Sequence, residues 1–158
     1  KDLGQCVQGK RVVQFDRRNN IMIDEAAVVE KFGVGPSSIA DYLGLVGDSA
    51  DGFPGLQGWG AKSASTVLAK YQLIDNIPDD HNQWIADGVT VRSAEKLATT
   101  LRDNRKDAAL FKQLATLVTD VPVGDVGDWL WRGPTDRFES VANTLGAPQL
   151  VERLRRLK

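Results

Sequence analysis

Apolar residues along this chain recur mostly at helical spacing, with one exception near the start. Residues 11–15 and Ile21-Met22-Ile23 are short, strand-like runs on either side of an Asn19-Asn20 turn signal, a pattern that predicts a small hairpin. Asp24 is placed to cap a helix running to about Phe32, and Gly33 to stop it. Pro36-Ser37-Ser38 opens another helix, whose Ile39, Tyr42, Leu43 and Val46 fall at i, i+3, i+4 and i+7 and share one face. Gly47 marks its end or a kink. The same spacing returns in Ala64, Val67, Leu68 and Tyr71, in Ala94, Leu97, Ala98 and Leu101, and, after Asn104, in Phe111, Leu114, Ala115 and Val118. Residues 77–84 read as loop or short helix, and Asp120-Val121-Pro122 closes the helical run. Beyond it, 124–134 is a tryptophan-containing loop with an extended piece at Trp129-Leu130-Trp131. Thr135 is placed to cap a helix faced by Phe138, Val141, Ala142 and Leu145, and a last helix carries Leu150, Leu154 and Leu157. The expected fold is mainly α with one small β-hairpin near the start.

Composition narrows the class. At 158 residues, 42% hydrophobic and 26% charged, the chain suits one domain or large subdomain with its own core, not a disordered segment. No apolar run approaches the roughly 18 residues of a membrane span, so no membrane is expected as a partner. The lone cysteine, Cys6, cannot form an intrachain disulfide, and a reducing cytoplasm fits. One Cys with one His leaves little basis for zinc, and His81, among Asp79, Asp80 and Asn82, reads as a surface loop residue. The opening KDLGQCVQGK has neither an initiator Met nor a signal h-region, so the chain is expected either to begin inside a longer protein or to have been trimmed.

The net charge of −1 argues against nucleic-acid binding by the surface as a whole. Its distribution matters more than the sum. From Gly52 to Ile74 the charged residues are Lys62 and Lys70. Asp75, Asp79, Asp80 and Asp87 follow without a Lys or Arg, and then Arg92, Lys96, Arg102, Arg105, Lys106 and Lys112 return, diluted by Glu95, Asp103 and Asp107. A basic face beside an acidic site is compatible with this alternation.

The most specific chemistry lies in GDSADGFPGLQGWGAKSA, residues 47–64. Leu56-Gln57-Gly58-Trp59-Gly60-Ala61-Lys62-Ser63-Ala64 joins two amphipathic helices and has the pattern of a helix–hairpin–helix. Glycines let the main chain approach a phosphate, the next helix offers free N–H groups and the positive end of its dipole, and Lys62 and Ser63 add a charge and a hydroxyl. Such contacts hold phosphates without reading base sequence. A glycine turn that merely joins packed helices is the plainer reading, and Lys62 and the two periodic helices weigh against it. Trp59 either packs beneath the hairpin or reaches a sugar. Just upstream, Asp48 and Asp51 stand at i, i+3, which on a helical turn puts both carboxylates on one face, as hard divalent cations require. A pair of capping aspartates is the alternative. A calcium EF-hand loop starting at Asp48 fails, because Pro54 interrupts it and Trp59 holds the place of the glutamate. There is no P-loop, dinucleotide fingerprint or Gly-x-Ser-x-Gly.

Residues 47–64 resemble the GDxxDNIPGVxGIGxKTA signature of bacterial 5′ nucleases, the flap endonuclease/5′–3′ exonuclease family that includes the 5′-nuclease domain of DNA polymerase I. Lys1-Asp2-Leu3 resembles the end of that family's D-K-D-L segment, and Glu30-Lys31-Phe32-Gly33-Val34 and Val118-Thr119-Asp120-Val121-Pro122 resemble other recurring stretches. Gly52, Phe53 and Trp59 depart from the usual Asn, Ile or Leu, and Ile, without removing a carboxylate or a hairpin glycine. The resemblance implies a helix–hairpin–helix (H3TH) C-terminal domain, with 1–23 the end of a PIN-like nuclease core and 24–158 a helical DNA-binding domain whose hairpin is 55–64. It implies metal ligation by Asp2, Asp48 and Asp51, and backbone contacts to DNA at a 5′ flap, nick or end from Leu56, Gly58, Trp59, Gly60, Ala61, Lys62 and Ser63. It implies Mg²⁺ or Mn²⁺ at a two-metal site of the parent enzyme and a K⁺ at the hairpin. The parent is expected to be a monomer. The isolated chain, with three of the carboxylates and without the rest of the acidic cluster, is expected to be inactive. A non-catalytic DNA-binding module and a protein-interaction module remain as alternatives.

Overall fold

Eight α-helices and one two-stranded ribbon make up the computed structural model, which describes residues 1–156. The ribbon pairs β1 (Gln14–Asp16) antiparallel with β2 (Ile21–Ile23), with Phe15 opposite Met22. Its turn is held by the Asp16 carboxylate, which accepts from the N–H groups of Arg18 and Asn19, while Asn20 takes the left-handed conformation at φ 56°. The ribbon begins later than alternation predicts because Val12 pairs back with Gln8 instead. Helix α1 (Glu25–Phe32) starts where Asp24 accepts from the Ala27 N–H and ends at the left-handed Gly33, as its sequence implies.

A tight turn at Pro36–Ser38 leads into α2 (Ile39–Val46), buried from Ile39 through Leu45 and apolar almost all round. It is the axis of the first packing unit, with α3 (Ala61–Tyr71) and α6 (Arg105–Ala115) against it. Between these lie α4 (His81–Ala86) and α5 (Ala94–Asp103), so His81 begins a helix rather than lying in a loop. The one charged residue on α2, Asp41, is 1% exposed. It accepts from the Ile74 N–H at 2.7 Å and pairs with Lys112 of α6 at 2.9 Å, and Lys112 also reaches Asp75 at 3.0 Å. Burial draws the Lys112 pKa down, but Asp41 and Asp75 together outweigh it and leave the group above the ordinary lysine value.

Helix α6 differs from its expected phase. Its inner face is Ala108, Phe111 and Ala115, whereas Leu114 and Val118 are exposed and the helix stops at Ala115. The cause lies far away in sequence. The Gln5 amide donates to the Ala115 carbonyl at 2.9 Å and accepts from the Leu117 N–H at 3.2 Å, so the chain leaves the helix with its backbone groups satisfied.

Residues 1–119 and residues from Asp120 onward pack as two separate units. The residues ahead of Asp24 belong to the first, where Val7 joins the core and Gly4 lies against Ile39 and Val28. In the second unit, α7 (Phe138–Thr144) packs with α8 (Gln149–Arg155). Ala142 is buried, but Val141 and Leu145 of the expected face are exposed. Thr135 does not cap α7; its carbonyl accepts from the Phe138 N–H in a turn that precedes the helix. Trp129 ends a 3-10 turn (Val126–Trp129) and donates to the Val123 carbonyl, so it is not part of an extended strand. Leu157 lies outside the described residues. Among those described, no helix is long and apolar enough to cross a membrane.

Lys112→Met should cost about 3 kcal/mol, because it leaves the Asp41 carboxylate buried without its counter-charge. As the Lys112 pKa is raised on folding, the stability it supplies is complete below the ordinary lysine pKa of 10.5 and is lost as pH rises through the folded value. Urea melts of wild type and Lys112→Met should therefore converge at strongly alkaline pH; a constant gap would contradict this coupling.

Candidate metal centre and nucleic-acid interface

The segment after α2 is built around a close crossing of its own backbone. Gly47 (φ 86°) and Gly55 (φ 70°) lie against each other, so that a Cβ on Gly55 would sit 2.3 Å from the Gly47 nitrogen. Neither a side chain nor an ordinary dihedral fits there. The crossing is fastened on both sides: the Leu56 N–H donates to the Leu45 carbonyl at 2.9 Å, and Asp48 and Phe53 exchange backbone bonds at 2.8 and 3.1 Å. Phe53 is buried and stacks on Phe111, ring centroids 5.8 Å apart. Asp48 and Asp51 thus occupy a closed turn rather than the helical turn expected from their spacing. The Asp48 Oδ1 itself organises that turn, accepting from the N–H groups of Ala50 and Asp51 at 3.0 and 3.4 Å.

Asp2, from the 3-10 turn Asp2–Cys6, joins this pair. Asp2, Asp48 and Asp51 each present an oxygen, all within 4.8 Å of one another, and no other such cluster occurs among the described residues. Asp48 is buried, Asp2 half-buried and Asp51 exposed. The Asp48 Oδ2 has no hydrogen-bond donor in good geometry, and the Lys1 ammonium lies against it as an ion pair. Lys1 is the main cause of an Asp48 pKa below the usual carboxylate range; burial opposes the shift and the turn N–H groups add to it. The Lys1 pKa is raised in return, mainly by Asp48. A buried carboxylate oxygen neutralised by an ammonium, with two further hard carboxylates beside it, fits a divalent ion such as Mg²⁺ or Mn²⁺ in the place of that ammonium.

The hairpin follows within a few residues. Leu56 and Trp59 are both buried, so of the seven residues expected to face DNA these two can do so only through their main chain. The Trp59 indole packs beneath the hairpin, edge-on to Trp84 with ring centroids 6.0 Å apart, and its N–H donates to the Leu97 carbonyl at 3.2 Å. Gly58, Ala61 and Lys62 are exposed and Gly60 half-buried. The Ser63 hydroxyl is already engaged, accepting from the Gly60 N–H and donating to the Gly60 carbonyl at 3.0 Å each, so Ser63 offers its main-chain N–H instead. With the first helical bond running from Ala64 to Gly60, the N–H groups of Ala61, Lys62 and Ser63 have no acceptor among the described residues.

These groups open onto a groove of about 780 Å³. Its far wall is Thr90–Ser93 and Lys96, which sequence reasoning did not single out. Arg92 and Lys96 were visible as returning positive charge, but nothing local in the sequence shows that they fold back beside the hairpin.

Carboxylates gathered beside a glycine hairpin at a helix N-terminus give this helical unit an acidic corner next to a turn rich in free main-chain donors. The family model described as 5'-3' exonuclease, C-terminal SAM fold matches residues 34–137. The chain is 34% identical over 150 residues to DNA polymerase I of Pseudomonas aeruginosa, covering 90% of the chain and 15% of that protein. It is 34% identical to the 5'-3' exonuclease of Aquifex aeolicus and 30% identical to that of Buchnera aphidicola from Acyrthosiphon pisum, covering 78% of the chain in each case and 38% and 42% of those proteins. The chain belongs to the bacterial 5′ nuclease family and corresponds to its C-terminal, SAM-fold portion. It spans less than half the length of these relatives.

Gly55→Ala should lower stability by about 3 kcal/mol, from strain plus a main-chain clash. Gly52→Ala shares a positive φ of 84° but meets nothing within 4 Å, and it should cost only about 1 kcal/mol. Equal losses in urea melts would refute the close crossing. Trp59→Phe should cost about 1 kcal/mol, for the bond to Leu97, and Trp59→Ala about 4 kcal/mol; near-neutral behaviour of Trp59→Ala in the same assay would place the indole outside the core.

Proposed function

We propose that the protein containing this chain is a divalent-metal-dependent 5′ nuclease that hydrolyses DNA phosphodiesters at 5′ flaps, nicks or ends, with this chain gripping the DNA and supplying part of the metal site. The observation that carries the reading is the convergence of Asp2, Asp48 and Asp51 to within 4.8 Å at the foot of the hairpin. Asp2, Asp48 and Asp51 would hold Mg²⁺ or Mn²⁺, with Asp48 contributing the buried Oδ2 that now faces the Lys1 ammonium. Such an ion, paired with a second in the whole enzyme, supplies charge stabilisation at the phosphate and a more acidic water. The chain's own residues orient and hold. The N–H groups of Ala61, Lys62 and Ser63, with the Lys62 ammonium, draw in a backbone phosphate, and main-chain carbonyls at the hairpin offer a place for K⁺. Binding by phosphate is selective for DNA structure, indifferent to base sequence and weakened by salt. Three carboxylates are few for two ions, so the isolated chain is inactive in this reading.

The test uses the full-length protein. Asp51→Asn keeps the size of an exposed side chain and should reduce Mg²⁺-dependent cleavage of a 5′-flap substrate by more than about 100-fold, beyond the usual effect of an outer-shell change. DNA binding should stay intact. Cleavage near the wild-type rate would rule out the metal role.

A further inference from the structure

The far wall of the groove is not explained by the hairpin. The groove is lined by Lys62, Arg92 and Lys96, with no Asp or Glu in its lining, although the chain as a whole carries a net charge of −1. None of these three cations pairs with a described carboxylate. Glu95, the acidic residue beside them, lines a different hollow with Asp79, Asp80 and Arg102. Cations gathered without counter-ions repel one another, and such an arrangement is stabilised by an anion between them.

The main chain makes the same arrangement a second time. Helix α5 begins at this wall. Its first internal bond runs from the Leu97 N–H to the Ser93 carbonyl, and the Ser93 side chain provides no cap. The N–H groups of Ala94, Glu95 and Lys96 therefore have no acceptor among the described residues, like those at the start of α3. The start of α3 lines the groove through Ala61, Lys62 and Ser63, and the start of α5 through Ser93 and Lys96. Their spacing is fixed by one side chain: the Trp59 indole bonds the Leu97 carbonyl of α5 and packs on Trp84 of α4, while Val89, ahead of the wall, is buried and tied to the Trp84 carbonyl. Between the charges the lining is small or apolar, as at Gly58, Ala61, Val91 and Leu97, which suits the face of a sugar.

We propose that Thr90, Arg92, Lys96 and the α5 N-terminus form a second phosphate subsite, so that the groove clamps a stretch of DNA backbone at two or more phosphates, with the hairpin holding only one side. About 780 Å³ is far more room than one phosphate requires. The proposal rests on the DNA-binding reading of the hairpin and extends it to residues 90–96. Trp59 is the positioning residue that keeps the two subsites in register.

The salt dependence of duplex binding by the 158-residue chain tests it, measured by fluorescence anisotropy on a short blunt duplex. Each phosphate contact contributes about 0.9 to the slope of log K against log salt. Arg92→Ala and Lys96→Ala should each flatten that slope by about 1, and the double variant by about 2, with no dependence on duplex sequence. Both residues are exposed, and unchanged melting temperatures would confirm folding. Lys62→Ala serves as the comparison for the hairpin and Lys106→Ala, outside the groove, as the comparison for general charge. If Lys62→Ala flattens the slope and the Arg92 and Lys96 variants do not, the second subsite is refuted and the hairpin reading stands. If none of the three changes it, both fall. An equal effect of Lys106→Ala would refute a localised subsite.

Discussion

The contact between Gly47 and Gly55 is the constraint on which the rest of the site depends. It lets the chain double back immediately after α2, which brings a carboxylate turn and a glycine hairpin out of one short segment. The bridge between Asp48 and Phe53 closes the turn, and the stacking of Phe53 on Phe111 holds that turn to α6. Because the backbones touch, no small adjustment can separate the two halves of the site without breaking main-chain hydrogen bonds. Rigid placement of this kind is what the proposed positioning of a phosphodiester near a metal demands.

A second constraint sits under the hairpin. Trp59 could have been a surface residue reaching for DNA. Instead it is a core residue whose indole couples α3, α4 and α5, and its consequence at the surface is a groove with cations on both walls. The protein's mild net acidity and its local attraction for anions are therefore not in conflict. Acidic residues collect at the Asp2–Asp48–Asp51 corner and around Asp79 and Asp80, and the groove is left to Lys62, Arg92 and Lys96. Fields of this kind act over roughly a Debye length of 8–10 Å, so local arrangement outweighs the total.

How much of this the sequence reveals follows from how local each cause is. Asp24 and Gly33 bound α1 through bonds within a few residues, and both are legible. The spacing of Ala64, Val67 and Leu68 reveals α3 and its inner face for the same reason. The phase and end of α6 are not legible, since they depend on Gln5, more than a hundred residues away. The pairing of Asp48 with Asp51 is visible in their spacing, but the turn that brings them together is set by the Gly47–Gly55 crossing. Asp2 carries no local signal at all; only its likeness to a family segment singles it out, and packing of the opening turn against α2 brings it to the others. Arg92 and Lys96 read as scattered charge until Trp59 and Trp84 fold their loop against the hairpin. In the second unit, the exposed Trp129, Leu130 and Trp131 look strand-like in sequence, while a local 3-10 turn and the bond from Trp129 to Val123 decide otherwise.

The central claim is that DNA is held by its backbone in the groove between the hairpin and the start of α5. The most direct measurement is an amide NMR titration of the isotopically labelled chain with a short duplex. The account predicts that shifts concentrate at Gly58, Gly60 through Ser63, and Thr90 through Lys96, with the same residues responding to duplexes of unrelated sequence. Shifts confined to α7 and α8, or a pattern that changes with base sequence, would contradict it.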